Sequence, residues 1–356
     1  MLRTLIATLG VTSLWCGAWA LAAEAPRGEL LVLSKSDRTL SIVDPTGLKV
    51  IAKVPVGPDP HEVVVSTDGQ YAYVSNYGYG AYNTITPVDL ATRKALPAID
   101  LGALRGPHGL AYAGGKVWFT AEVAKAIGRY DPERNVVDWV LGTGQNRTHM
   151  LYVFNDLRRI VTSNVNSATI TFIDQVASPA RAGGPTPGGA ASPPATPPRP
   201  QTGPPPVEWN ETVVPVGRGS EGFDLSPDLT ELWVANAQDG TLSIVNVATK
   251  RVVQTLAANV PRANRLKFTP DGRLVFVSSL GLGDVSVFNA ASRTEVKRIK
   301  IGTGAAGIQM QPDGSRVFVA CTPDDTVVVI DLKSLEVVGR VDAGTQPDGM
   351  AWVARR

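Results

Sequence analysis

Apolar positions along this chain fall in short runs such as ELLVLS, HEVVVS, YAYVSN, TITPVD and TLSIVN. The runs are rich in Val, Ile, Phe and Tyr and too short for helices, so they predict β-strands. Between them lie polar turns, among them Asp68-Gly69, Asp271-Gly272 and Asp313-Gly314. Their glycines supply the positive φ that tight hairpins need. The runs recur as a unit of roughly 40 residues, a period that marks repeat architectures. Its fullest copies read GPDPHEVVVSTDGQYAYVSNYGYGAYNTITPVDLATRKALPAIDLG and GTGAAGIQMQPDGSRVFVACTPDDTVVVIDLKSLEVVGRVDAG. Each holds four runs, and four antiparallel strands per unit predicts a propeller blade.

Six complete units start near Gly57, Gly106, Gln145, Gly217, Pro261 and Gly302. The C-terminal stretch GTQPDGMAWVARR has only a first strand. The N-terminal stretch GELLVLSKSDRTLSIVDPTGLKVIAKVPVG has the second, third and fourth. Joined, they complete a seventh blade and leave no spare edge strand. The expected fold is all-β: one seven-bladed propeller over residues 24–356, closed by its two terminal strands.

The three histidines of the chain occupy the same place in successive units: His61 in GPDPHEVVV, His108 in RGPHGLAYA and His149 in NRTHMLYVF. First strands of propeller blades line the central channel. Aligning their starts gives His61, His108, His149, Glu221, Asn264, Ala306 and Asp348. The ends of the second strands return to the same face and align as Asn76, Glu122, Asn164, Asn236, Ser279, Cys321 and Ser34. Converging neutral imidazoles suit a divalent transition metal, Zn²⁺, Cu or Fe²⁺. Glu122, Glu221 or Asp348 then offers a further ligand, an orienting partner or a general base. The loop 76–83, NYGYGAYN, is aromatic and glycine-rich and suits a lid. Asn76, Tyr77, Tyr79, Asn164, Asn236 and Asp348 are the candidate contacts to a small polar ligand. The alternative is that these groups only satisfy strand termini. Trp118 and Trp233 hold equivalent positions expected to pack between blades. Asp44, Asp89, Asp174 and Asp331 close third strands and suit turn stabilisation, and Cys321 reads as a buried strand residue.

The strings YVSN (73–76), WVAN (233–236) and TSN (162–164), with the turns STDG, SPD and TPDG, resemble the YVTN-type β-propeller repeat family. The resemblance covers the chain after its N-terminal segment, except for one insert. Unit 2 departs from it, with YAGGKVWFTAEV in place of the usual turn and Ala121-Glu122 in place of Ser-Asn. The phrase PHEVVVSTDG is similar to the first-strand motif of phosphogluconolactonase-like propellers. Relatives of the lactonase and streptogramin-lyase types carry catalytic groups at a channel mouth. The resemblance thus implies a metal-dependent lyase or lactone hydrolase, with His61, His108 and His149 on the metal and Glu122 or Glu221 handling the proton. Propellers host many activities, so binding, catalysis and protein interaction all stay open.

Composition narrows the setting. Residues 1–23 read as a secretory signal, with a basic start, an apolar stretch and small residues at Ala20, Ala22 and Ala23. Its cleavage leaves Cys321 as the one thiol and no stable membrane span. A periplasmic or secreted monomer is expected, with a small polar ligand or an envelope protein as partner. The formal charge of +2 carries no concentrated basic run, which argues against a nucleic-acid footprint. No CxxCH, P-loop, GxSxG or EF-hand pattern occurs. Residues 178–206 are almost entirely Pro, Gly, Ala, Ser and Thr and are expected to stay disordered. They interrupt unit 3 between its third and fourth strands, on the face away from the histidines.

Overall fold

The computed structural model describes residues 28–177 and 207–354. The short apolar runs form seven antiparallel sheets, each a meander from the axis outward. The innermost strands are Pro60–Val65, Pro107–Ala113, Thr148–Val153, Ser220–Leu225, Ala263–Phe268, Ala305–Met310 and Pro347–Ala354, numbered here as blades 1 to 7. Blade 7 closes the ring: Pro347–Ala354 pairs with Gly28–Ser34, with Leu31 opposite Ala351. The fold is therefore the seven-bladed propeller expected, with both terminal strands in one blade. The outermost strand of blade 1 is split into Lys94–Ala95 and Ile99–Asp100, around Pro97, which has no N–H to donate. Residues 1–23 and 178–206, where a signal and a disordered insert are expected, lie outside the described residues. The strands flanking the latter, Thr169–Ala177 and Val207–Pro215, pair from Thr169 opposite Pro215 to Ala177 opposite Val207.

The hydrophobic core is divided into seven wedges, one between each pair of neighbouring blades. Trp118 packs on Leu151 and Val153 of the next blade, and Trp233 on Leu266 and Phe268. Each buried Phe or Leu here contributes about 1.5–3 kcal/mol. The axis is left to the innermost strands, which stand close enough to contact one another through their backbones. A Cβ on Gly109 would meet the His149 carbonyl oxygen at 2.5 Å, and one on Gly307 would meet that of Asp348 at 2.1 Å. Absence of a side chain at these positions lets blades 2 and 6 seat the blade that follows each.

Hydroxyls complete the seating. Ser75 donates to the carbonyl of His108 at 3.0 Å, Thr120 to that of His149 at 2.8 Å and Ser163 to that of Glu221 at 2.7 Å. The same hydroxyls accept N–H groups from their own blades: Glu62 N–H on Ser75, Gly109 on Thr120 and Met150 on Ser163. One side-chain oxygen thereby ties two blades at the residue that faces the channel. Asp44, Asp89 and Asp331 accept backbone N–H groups of the turns that follow them. Asp174 precedes the insert and pairs instead with Arg159 and Lys250.

Two substitutions test this seating in denaturant melts. Thr120→Val leaves the His149 carbonyl without its donor and is expected to cost about 1–3 kcal/mol. Gly307→Ala is expected to cost a similar ~1–3 kcal/mol through overpacking, with the denaturant slope unchanged. A neutral Gly307→Ala variant would contradict the close approach of blades 6 and 7.

Candidate metal centre

The second residue of each innermost strand points at the axis from one face. These residues are His61, His108, His149, Glu221, Asn264, Ala306 and Asp348, and all of them line a cavity of about 390 Å³. The three imidazoles stand in a row, tilted against one another, with 4.6 Å between the ring centres of His61 and His108 and 3.7 Å between His108 and His149. Tyr77 covers them, its ring 4.9 Å from His61 and 4.8 Å from His108. Tyr79 stands at the rim, 81% exposed, beside Tyr77.

Strand pairing corrects the alignment of the second strands. Pro60 faces Asn76, Thr148 faces Asn164, and Pro107 faces Ala121 rather than Glu122. Asn76, Asn164 and Asn236 are buried inside their blades and do not line the cavity. Asn76 donates to Thr84 and Thr86, and Asn164 to Thr169 and Thr171. Asn236 lies 2.9 Å from the hydroxyls of Thr241 and Ser243. Their amides tie second strands to third strands, which sets these three apart from the residues that line the cavity. Glu122 lies one residue further on, level with Tyr77, Leu280, Thr322 and Lys35, and each of those four lines the cavity.

That one-residue offset carries Glu122 to the histidines. Its Oε1 lies 2.5 Å from His149 Nδ1, and its Oε2 accepts the Tyr77 hydroxyl at 2.5 Å. His149 Nε2 lies 2.8 Å from Glu221 Oε2, poorly aligned for hydrogen bonding. Arg147 approaches both carboxylates, 3.2 Å from Glu221 and 3.5 Å from Glu122. Burial disfavours a charged His149, but Glu221 and Glu122 outweigh it and hold its pKa above the ordinary value. Burial likewise opposes the charge on Glu221, and His149 and Arg147 overcome it, drawing that carboxyl far below its usual range.

His108 is the opposite case. It is 0% exposed and neither ring nitrogen has a hydrogen-bond partner. Burial, with the neighbouring His149 and His61, keeps it neutral well below its ordinary pKa. His61 is also held neutral, first by burial. It turns toward Asp348, with Nε2 3.6 Å from Oδ2, while Lys35 donates to the same carboxylate at 2.8 Å. Cys321 is buried, and burial pushes its thiol up to about 12.

One group of side chains among the described residues could hold a metal ion: His108, Glu122 and His149, whose donor atoms all lie within 4.8 Å of one another. His61 is outside it, so the three-histidine set expected from the repeat becomes two histidines and a glutamate. Lys35, Arg147, Arg265 and Glu62 were not singled out by the repeat. Only Lys35 was recoverable, by reading the second-strand register one residue later.

No family model matches the sequence, and no curated protein matches it. Solved structures do share its fold. One is a protein of unknown function from Desulfotomaculum acetoxidans, with a TM-score of 0.71 at 13% identity, covering 92% of this chain and 99% of that one. Another is a candidate 6-phosphogluconolactonase from Bacteroides uniformis, with a TM-score of 0.70 at 13% identity over 92% of this chain and 99% of that one. A third is the dihydro-heme d1 dehydrogenase NirN in complex with DHE, with a TM-score of 0.62 at 15% identity over 92% of this chain and 76% of that one. At such identities the likeness carries the propeller architecture and no activity.

With three histidines in the chain, imidazole NMR resolves each titration. In metal-free protein His149 is expected to titrate above ~6.5, its unperturbed value, and His108 and His61 below it. The stability His149 contributes is then full below about pH 6.5 and lost as pH rises through its folded value. That of His108 runs the other way and is lost as pH falls below about 6.5. A His149 signal that titrates below the unperturbed value would contradict its seat between two carboxylates.

Proposed function

We propose that the channel mouth binds a divalent transition metal through His108, His149 and Glu122, and holds a small polar ligand in the cavity beside it. The observation that carries this reading is the convergence of these three buried groups, with both His108 nitrogens lacking any partner. A buried polar atom without a partner is costly, and coordination supplies one. Two imidazoles and a carboxylate suit Zn²⁺, Cu²⁺ or Fe²⁺. In metal-free protein a proton on His149 sits between Glu122 and Glu221, where the ion's charge would otherwise be. Metal uptake therefore displaces that proton. The protein's role on this reading is binding or scaffolding. The signal-like residues 1–23 support a periplasmic or secreted location.

One observation favours a second reading, metal-dependent hydrolysis of a lactone or a lyase reaction. His61 lies next to His108, is held neutral and has a buried Nδ1 with no hydrogen-bond partner. A neutral imidazole beside a metal can take a proton from water or substrate.

The test is elemental analysis of untagged protein after reconstitution with Zn²⁺, Cu²⁺ or Fe²⁺ and removal of excess metal. One ion per chain is expected in the wild type and none in His108→Ala or Glu122→Gln. Metal at about 100 times its Kd is expected to add ~2.7 kcal/mol of stability. Metal-free protein in every case would overturn the reading and leave the propeller as an interaction platform. Lactone or lyase turnover that needs the metal and is lost in His61→Ala would establish the second reading over simple binding.

A further inference from the structure

Directly below the histidine ring, the third residues of the innermost strands are Glu62, Gly109, Met150, Gly222, Arg265, Gly307 and Gly349. Where this level is glycine it has no side chain. The partition between the upper cavity and a second one of about 450 Å³ below it therefore falls to Glu62, Arg265 and Met150. Arg265 lines both cavities. It reaches across the channel from blade 5 to blade 1 and donates from Nη2 to Glu62 Oε1 at 2.5 Å.

That pairing uses part of the guanidinium. Nη1 is buried and has no hydrogen-bond partner. Among the other cations of the mouth, Lys35 is held by Asp348 and Arg147 by Glu221 and Glu122, while Arg262 stands exposed at the rim. Arg265 is largely buried, keeps an uncommitted donor, and is a wall residue of the cavity that holds His108, His149 and Glu221. A buried guanidinium N–H without an acceptor is unfavourable, and a planar fork suits carboxylate and phosphate oxygens.

We propose that Arg265 is an oxyanion-binding residue, and that the ligand of the upper cavity carries a carboxylate or phosphate group received by Nη1. Glu62 orients the guanidinium and also competes with the ligand for it. The cavity volume of about 390 Å³ limits that ligand to a small molecule. This inference rests on the upper cavity being the ligand site, and it holds whether or not metal is bound.

The experiment is calorimetric titration of EDTA-treated protein with inorganic phosphate and, separately, with malonate, at constant ionic strength in chloride, with glycerol as the neutral control. Saturable binding of one anion or both is expected, and the stronger of the two identifies the group. Arg265→Gln is expected to weaken that binding roughly tenfold or more. Glu62→Gln is expected to tighten it, because the internal competitor loses its charge. A purely structural ion pair would give the reverse or no change in the Glu62 variant. Neither substitution removes a metal donor, so both variants are expected to keep the wild-type metal content, and failure of the metal reading shows separately. Anion affinity unchanged in Arg265→Gln, or no binding of either anion by the wild type and Glu62→Gln, overturns the proposal.

Discussion

Seven twisted sheets arranged around an axis bury their apolar faces against each other, and everything else in this molecule follows from that arrangement. The core lies in wedges between blades, around Trp118, Trp233, Phe276 and Phe318. The axis is thereby free of the duty to be hydrophobic. Its innermost strands need only be narrow, and glycine at Gly109, Gly222, Gly307 and Gly349 meets that need. Polar residues placed one position earlier then converge without weakening the core. The ring holds its shape because Pro347–Ala354 is captured by Gly28–Ser34, so the first and last described strands fix each other.

Convergence turns an ordinary repeat into a charged site. Equivalent positions in neighbouring blades bring His61, His108 and His149 within stacking distance. Hydroxyls of Ser75 and Thr120 hold the backbones of His108 and His149 from the preceding blade. The same closeness sets the electrostatics. His149 lies between two carboxylates and favours its proton, while His108, a ring's thickness away, is kept neutral. Adjacent imidazoles with opposed preferences arise here from burial and from where Glu122 and Glu221 stand.

The channel ring was legible in the sequence because strand starts can be aligned by their turns. His61, His108, His149, Glu221, Asn264, Ala306 and Asp348 all face the cavity as the repeat implies. The second-strand ring was less legible. Unit 2 lacks the usual turn, so alignment by sequence alone sets Glu122 level with Asn76, although Ala121 holds that place. A one-residue shift changes which side of a strand a group faces. The asparagines looked functional because they recur at the mouth, but recurrence equally marks a structural clasp, and their amides are spent on threonine and serine hydroxyls. Arg265 and Glu62 had no repeat signal, since each occurs in one blade and they meet only across the channel.

The proposed metal ion would be shared by His108, His149 and Glu122. Anomalous diffraction from crystals of the reconstituted protein, collected on both sides of the metal's absorption edge, tests it most directly. One dominant anomalous peak is expected within coordination distance of His108, His149 and Glu122, with the His149–Glu122 hydrogen bond replaced by the ion. An anomalous map without a peak there, and with His149 still bonded to Glu122, would contradict it.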